Sequence, residues 1–399
     1  MNPVYIIESI RTPRAKAKES GGLHDLNPFE LLDSLYSYFI EYEILDSKEL
    51  EEVILGCVTQ QGEQAGNLAK SSSLYSGFPN NVSGLTINRF CSSSLDAINI
   101  GYLKIASGQN KNLIAGGIEM MSRVPMLSDK AAIWIDLDIA LKSKIFMMGS
   151  GADLIASLNG ITRLEADTQA LKSQQKASYA RENNYFKSII PVFNKTKNIT
   201  CSIDECIRDN STLESLNLLD PSFEEIGKNG VDKLQLEYFS HLEQITHIHT
   251  AGNSPAMADA ASMTLLSNSK HSSSGKYQYR ASIKAVAVVN DDPLLVLSGC
   301  LMATQKILLD NNMSVEDIDL FEIHEAFAST IINAQRVLNI PDDKLNVNGG
   351  CIALGHPMGA TGSIMLSSLL DEMERQNLST GIVSTSGAAG AGTAILVER

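Results

Sequence analysis

Three residues combine a reactive side chain with a local setting that suits catalysis: Cys91, His324 and His356. Cys91 stands in Asn88-Arg-Phe-Cys91-Ser-Ser-Ser, behind a strand and loop and just ahead of a helical pattern. The positive end of a helix favours thiolate, so this placement predicts a thiol pKa below its ordinary value of about 8.5. A small buried core residue would suit the same position. His356 lies in Leu-Gly-His-Pro-Met-Gly-Ala-Thr-Gly, where glycines let backbone amides approach a substrate and an imidazole can take a proton from a nearby thiol. His324-Glu-Ala-Phe follows an apolar run directly. A polar pair at the carboxyl end of a strand is where open α/β sheets bind ligands, and the histidine can donate there to a developing oxyanion. The same pair could cap a helix. Two imidazoles in His247-Ile-His249 would share one face of a strand, but no third ligand stands at suitable spacing, so no metal site is expected. Ser-Gly-Ala-Ala-Gly-Ala-Gly near the C-terminus lacks the phosphate-binding glycine signature, so no dinucleotide cofactor is expected either.

The elements that must position these residues recur in order. The opening Val-Tyr-Ile-Ile-Glu-Ser-Ile reads as a strand ending at Arg11-Thr-Pro13, and residues 29–45 read as a helix. A strand at Val53–Val58 precedes the Cys91 loop. Leu95, Ile98, Tyr102 and Ile105 then recur at helical spacing up to Gly108, and Leu113–Gly117 reads as a buried strand. Near the C-terminus, a strand at Leu320–Ile323 ends at His324. The glycine-rich turn follows, then a helix through Met365, Leu369 and Met373, then a strand at Ile382–Thr385. Strand-end Cys57 lies 91 − 57 = 34 residues before Cys91, and strand-end His324 lies 356 − 324 = 32 before His356. The pattern is a weak internal repeat of two strand–turn–helix–strand units, which predicts mostly parallel sheets covered by helices. Residues 120–249 differ in character: they hold the single tryptophan, Trp134, and read as an insertion over the core or as a linker domain.

With 399 residues, the chain exceeds what one compact core usually holds. Hydrophobic residues at 44% and charged residues at 20% give an ordinary globular balance, and no apolar run is long enough for a transmembrane helix. The net charge of −14 disfavours a phosphate-tracking nucleic-acid surface. The N-terminal segment is too acidic for a targeting signal and the six cysteines are scattered, which predicts free thiols and a cytoplasmic protein. Cys201 and Cys206 read as uncommitted thiols.

Taken together, these motifs resemble the thiolase family of acetyl-CoA acyltransferases. The resemblance runs nearly end to end, through Arg11-Thr-Pro13, Asn88–Leu95, the Gly-Gly-Ile-Glu-Met-Met-Ser-Arg-Val-Pro stretch of 116–125, Thr250–Asp259, His324-Glu-Ala-Phe and the Gly349–Gly362 turn. It implies an α/β five-layer αβαβα fold of two similar halves. The N-terminal half would be 1–119, completed by 250–275, the C-terminal half 276–399, and 120–249 a loop domain covering the active site. It implies that Cys91 attacks a 3-ketoacyl-CoA carbonyl and holds the acyl group, that His356 activates the thiol, and that His324 serves a second oxyanion hole. Arg208 would lie near the coenzyme A nucleotide, while Met148, Phe223, Ala326 and Phe327 would line the pantetheine and acyl path. Coenzyme A would be a substrate, with no cofactor. A homodimer or homotetramer is implied. His-Glu-Ala-Phe is similar to the β subunits of fatty-acid oxidation complexes, which tilts the reading toward degradation and toward a hydratase/dehydrogenase partner.

Two departures qualify that reading. Ser386 stands where the family carries its second catalytic cysteine, and a hydroxyl is poorly matched to a proton shuttle near neutral pH. Pro255 replaces a pantetheine-contacting serine or threonine, with Ser254 beside it as a substitute. Cys300 and Cys351 are conceivable substitute acids. The alternatives are decarboxylating condensation or thioester hydrolysis on the same fold, or a non-catalytic coenzyme A-binding subunit.

Overall fold

The computed structural model describes residues 2–399. Its strands are β1 (Tyr5–Arg11), β2 (Ala15–Lys16), β3 (Glu52–Gly56), β4 (Ser83–Ile87), β5 (Asn112–Met120), β6 (Val192–Asn194), β7 (Ile199–Cys201), β8 (Ala258–Ser267), β9 (Ala281–Asn290), β10 (Leu320–Ile323), β11 (Thr380–Ser386) and β12 (Ala391–Glu398). All but β6 and β7 form one sheet in the order β10-β11-β12-β9-β1-β8-β5-β3-β4, with β2 paired to β8. The first half contributes β1, β8, β5, β3 and β4 and the second contributes β9, β12, β11 and β10. A short β1–β9 pairing at Tyr5 and Ile6 joins them edge to edge.

The internal repeat is present. The β3 strand leads through the Cys91 loop and the helix Ser93–Ala106 into β5, which lies parallel to β3. In the same way β10 leads through the glycine-rich turn and the helix Thr361–Gln376 into β11, parallel to β10. These two central helices pack on each other between the sheet halves, burying Leu95 and Ile98 with Met365, Leu366 and Leu369. Gly362 permits that approach: a Cβ there would lie 2.6 Å from Leu95 Cβ. Outside, the helix Pro28–Glu41 covers the first half through Leu31, Leu35 and Phe39. The helices Gly299–Asp310 and Ala328–Leu338 cover the second through Ile307 and Ile331. Helix, sheet, helix pair, sheet, helix makes the five layers.

The expectation of mostly parallel strands is not met. Parallel pairing is confined to β3/β4, β3/β5 and β10/β11, whereas β1/β8, β5/β8, β11/β12 and β9/β12 are antiparallel. A parallel neighbour needs a crossover of a dozen or more residues, and the turn of 387–390 between β11 and β12 is too short for one. The segment between β5 and β8 leaves the sheet. It is mainly helical, including Met148–Leu158 and Arg163–Glu182, with the β6–β7 ribbon beside them.

Candidate active site

The Cys91 loop is held in place by a strained backbone and hydrogen bonds. Phe90 takes φ of 48°, a left-handed conformation that a bulky residue adopts only where its surroundings hold it. The Phe90 amide donates to Asn88 Oδ1 (2.8 Å), the Arg89 amide donates to Ser93 Oγ (2.8 Å), and Ser92 Oγ donates to the Thr385 carbonyl (3.2 Å). Gly387 lies against this loop, and a Cβ there would come within 2.9 Å of the Arg89 carbonyl. Cys91 therefore sits one residue ahead of the Ser92 cap of the central helix. Burial nevertheless pushes its thiol up to about 12, with Glu119 and Cys351 adding to the rise. The expected lowering by the helix end is overturned because loss of hydration disfavours the thiolate more than the helix terminus favours it.

His356 is fixed from three directions. Its amide donates to the Ala256 carbonyl at 2.8 Å, its Nδ1 shares a 2.7 Å hydrogen bond with Thr361 Oγ1, and Gly355 before it takes φ of 94°. The turn beyond it is stapled by Glu119. That buried carboxylate accepts the amides of Gly359 (2.9 Å), Val58 (2.9 Å) and Thr59 (3.1 Å) and the Gln64 side chain (2.9 Å). One carboxylate thus binds the His356 turn to the end of β3. Burial, helped by His324 and Arg14, holds the His356 imidazole well below its ordinary pKa.

His324 continues β10, its amide donating to the Ser384 carbonyl at 2.9 Å. Its Nδ1 donates to the Ser386 carbonyl at 3.2 Å, which fixes the tautomer and leaves Nε2 as a buried acceptor without a partner. Burial lowers its pKa to about 4. The ring centroids of His324 and His356 lie 4.6 Å apart. The polar pair at the strand end divides its work. Glu325 turns away and accepts Ser173 Oγ (2.8 Å), Gln169 Nε2 (3.1 Å) and the Ile352 amide (3.1 Å), anchoring the helix Arg163–Glu182.

Cys91, His324 and His356 line one cavity of about 170 Å³, together with Met148, Phe223, Ser254, Ala326 and Phe327. Phe223 and Phe327 meet edge to face with centroids 5.7 Å apart, and Ser254 Oγ is buried without a partner. A second cavity of about 210 Å³ shares Cys91, Met126, Met148 and Met358 and is otherwise lined by Phe90, Leu127, Ile133 and Trp134 among others. Cys91 therefore stands between a chamber with the histidines and an apolar chamber with the tryptophan.

Two expected site residues fall outside both chambers. Arg208 is exposed and donates to the carbonyls of Ala251 (3.3 Å) and Gly252 (3.0 Å) at the chain's return to the core. Ser386 is fully buried, and its hydroxyl donates to the Leu297 carbonyl (2.7 Å) and accepts the Cys300 amide (2.9 Å). Its backbone carbonyl, not its side chain, reaches the site. His247 and His249 lie on irregular backbone. Each shares a hydrogen bond through Nδ1 with Asp153, at 2.9 and 2.6 Å, and His247 Nε2 shares another with Asp232 at 3.0 Å. They clamp the loop carrying them. Sequence reasoning passed over Glu119, although it stands in the quoted Gly-Gly-Ile-Glu stretch. It also passed over Arg14, which is 2% exposed, has Nε and Nη1 unpartnered, and carries a charge that lowers the pKa of both His324 and His356. No helix among the described residues is long and apolar enough to cross a membrane.

The chain matches the family model "Thiolase, N-terminal domain" over residues 4–230 and "Thiolase, C-terminal domain" over 277–399. It is 34% identical to the 3-ketoacyl-CoA thiolase of Colwellia psychrerythraea, over 100% of both chains, and 33% identical to that of Aliivibrio fischeri with the same coverage. The crystal structure of the Bacillus anthracis acetyl-CoA acetyltransferase is similar at a TM-score of 0.84 and 30% identity, covering 100% of this chain and 99% of that one. Human mitochondrial 3-ketoacyl-CoA thiolase in complex with CoA is similar at a TM-score of 0.85 and 28% identity, covering 100% and 98%. With both family models matched in order and relatives aligned from end to end, this chain belongs to the thiolase family.

Proposed function

We propose that this protein is an acyl-CoA C-acyltransferase that cleaves 3-ketoacyl-CoA with coenzyme A, or runs the reverse condensation, through an acyl-Cys91 intermediate. The observation that carries the reading is one cavity lined by a thiol and two neutral imidazoles whose Nδ1 atoms are engaged elsewhere. A high thiol pKa beside a low imidazole pKa means that the resting site holds Cys91 protonated. Its proton passes to His356 as sulfur bonds to the substrate's keto carbon. The carbon–carbon bond then breaks, leaving the acyl group on Cys91 and a carbanion on the departing acetyl-CoA. With the Ser386 hydroxyl engaged behind the cavity, the proton on His356 is the one that quenches this carbanion. Coenzyme A next gives its thiol proton to His356 and attacks the acyl group, and the released Cys91 sulfur takes that proton back. His324 Nε2 accepts from a water whose other hydrogen faces a developing oxyanion, with the ring oriented by the Ser386 carbonyl.

The chamber with Phe223, Phe327 and Ser254 receives the pantetheine arm, and the one with Trp134 receives the acyl chain. Segment 120–249 acts as the loop domain over both, and Arg208 marks the outer, nucleotide end. The working form is a homodimer or homotetramer. A second reading draws on the engaged Ser386 hydroxyl: decarboxylation generates the carbanion and needs no second acid–base group.

The test follows thiolysis of acetoacetyl-CoA by its magnesium-complex absorbance, with mass spectrometry of the protein. Wild type should turn over and carry an acyl group on Cys91, and Cys91→Ala should lose both. Acylation of Cys91 without thiolysis, but with release of carbon dioxide from malonyl-CoA, would replace the proposal with the second reading.

A further inference from the structure

Behind the two imidazoles lies a thiol that the acyl-transfer chemistry leaves unused. Cys351 opens the short helix Cys351–Leu354, is 2% exposed, and offers its Sγ within 4.8 Å of a ring nitrogen of both His324 and His356, which are equally close to each other. We infer that Cys351, His324 and His356 form a capture site for a thiophilic divalent cation of the zinc class, and that its occupancy switches the acyl-transfer site off.

The donor set and its preparation both point to such an ion. Two imidazole nitrogens and one sulfur suit zinc, which binds tetrahedrally at about 2.0–2.3 Å per ligand, so its donors stand roughly 3.3–3.8 Å apart. The three ligand atoms lie within 4.8 Å of one another, so closing to that spacing asks for at most about 1–1.5 Å of side-chain movement. His324 Nδ1 is fixed on the Ser386 carbonyl, and Nε2, buried and unpartnered, keeps its lone pair. His356 Nδ1 is fixed on Thr361 Oγ1, which leaves its Nε2 uncommitted. An outer hydrogen bond on each ligating ring is what orients imidazoles at metal centres. The Cys351 thiol must lose its proton. Burial pushes that thiol up to about 12, but coordination deprotonates a thiol outright, and the balance is one metal ion taken up and one proton released.

Selectivity follows from the neighbours. Arg14 lies close enough to bear on all three ligands, so the site already holds a positive charge. Magnesium or calcium, bound chiefly by charge to oxygen, has no oxygen ligand in the triad to offset that repulsion. A thiolate–metal bond does offset it. Both imidazoles line the Cys91 cavity, so occupancy takes from thiolysis the ring nitrogens that it uses.

Titration of the full-length metal-free protein with Co²⁺ tests the site directly, and its optical readout does not depend on the acyl-transfer reading. The expected result is one Co²⁺ per chain, with intense tetrahedral visible bands and a thiolate-to-cobalt charge-transfer band, both displaced by Zn²⁺. These bands should disappear in Cys351→Ala and Cys351→Ser and persist in Cys91→Ala. Thiolysis by wild type and by the two Cys351 variants should each be measured against its own metal-free rate. Zn²⁺ should inhibit wild type reversibly to a chelator, with at least tenfold weaker inhibition in Cys351→Ala. Absence of tetrahedral bands in wild type would overturn the inference. So would bands that persist in Cys351→Ala and vanish in Cys91→Ala, which would place the metal on the nucleophile instead.

Discussion

Replacing Ser386 by alanine separates a proton shuttle from a packing residue. The hydroxyl is fully buried, donates to the Leu297 carbonyl at 2.7 Å and accepts the Cys300 amide at 2.9 Å. Ser386→Ala leaves both backbone groups unpaired in the interior, and a buried unsatisfied group costs about 1–3 kcal/mol. The two share one hydroxyl and one relaxing neighbourhood, so the expected loss is about 2–4 kcal/mol, which lowers the unfolding midpoint by several degrees. Turnover should change little, because the hydroxyl lies outside both chambers and the part of Ser386 facing His324 is its carbonyl, which alanine retains. A general acid–base group in the chemical step contributes about 10²–10⁴-fold. The assay is thiolysis of acetoacetyl-CoA at a temperature well below the variant's midpoint, beside thermal unfolding of both proteins. An unchanged midpoint with a hundredfold or greater loss of kcat would refute the reasoning and restore the hydroxyl to catalysis.

Arg14→Met should leave folding stability unchanged or raise it by about 1–3 kcal/mol, because a buried guanidinium with unpartnered Nε and Nη1 gives way to an apolar chain of similar length. The same variant should move the acidic limb of kcat/KM to higher pH, since the guanidinium lowers both imidazoles and they must be neutral to accept protons. A shift to lower pH would contradict that assignment. His247 is raised to about 9, chiefly by its hydrogen bond to Asp153. A folded-state pKa above the unfolded one gives stability fully present below about pH 6.5 and lost as pH rises through 9, on the order of 1–2 kcal/mol after solvent screening. The unfolding midpoint should therefore fall between pH 7 and 9.5, and fall less in His247→Gln. Equal declines would remove the ion pair from the account.

The three candidate residues could be picked out because their cues are local. A thiol before a helix, an imidazole among glycines and an imidazole at a strand end each declare themselves within about ten residues, and all three line one cavity. Strand and helix order were legible for the same reason. Pairing direction was not, because it depends on where a strand returns from. The β8 strand reaches β5 after an excursion of more than a hundred residues, and no local pattern in Ala258–Ser267 records its direction.

The sequence by itself determined the residue types at the candidate site, the repeat that brings two strand ends together, and the serine at position 386. Tertiary structure alone decided which way each of these groups faces and what surrounds it. It turned the Ser386 hydroxyl toward the Cys300 amide and its carbonyl toward His324. It also set the charge states. Next to a helix start, Cys91 reads as a thiol of lowered pKa, yet burial among Met121 and Met358 pushes it up instead. Arg14, which sequence reasoning passed over, shows the same limit from the other side: it is 2% exposed, and the Asp204 carboxylate that accepts its amide stands 190 residues away. Hydration and hydrogen-bond partners belong to the assembled interior, because they are supplied by residues hundreds of positions away.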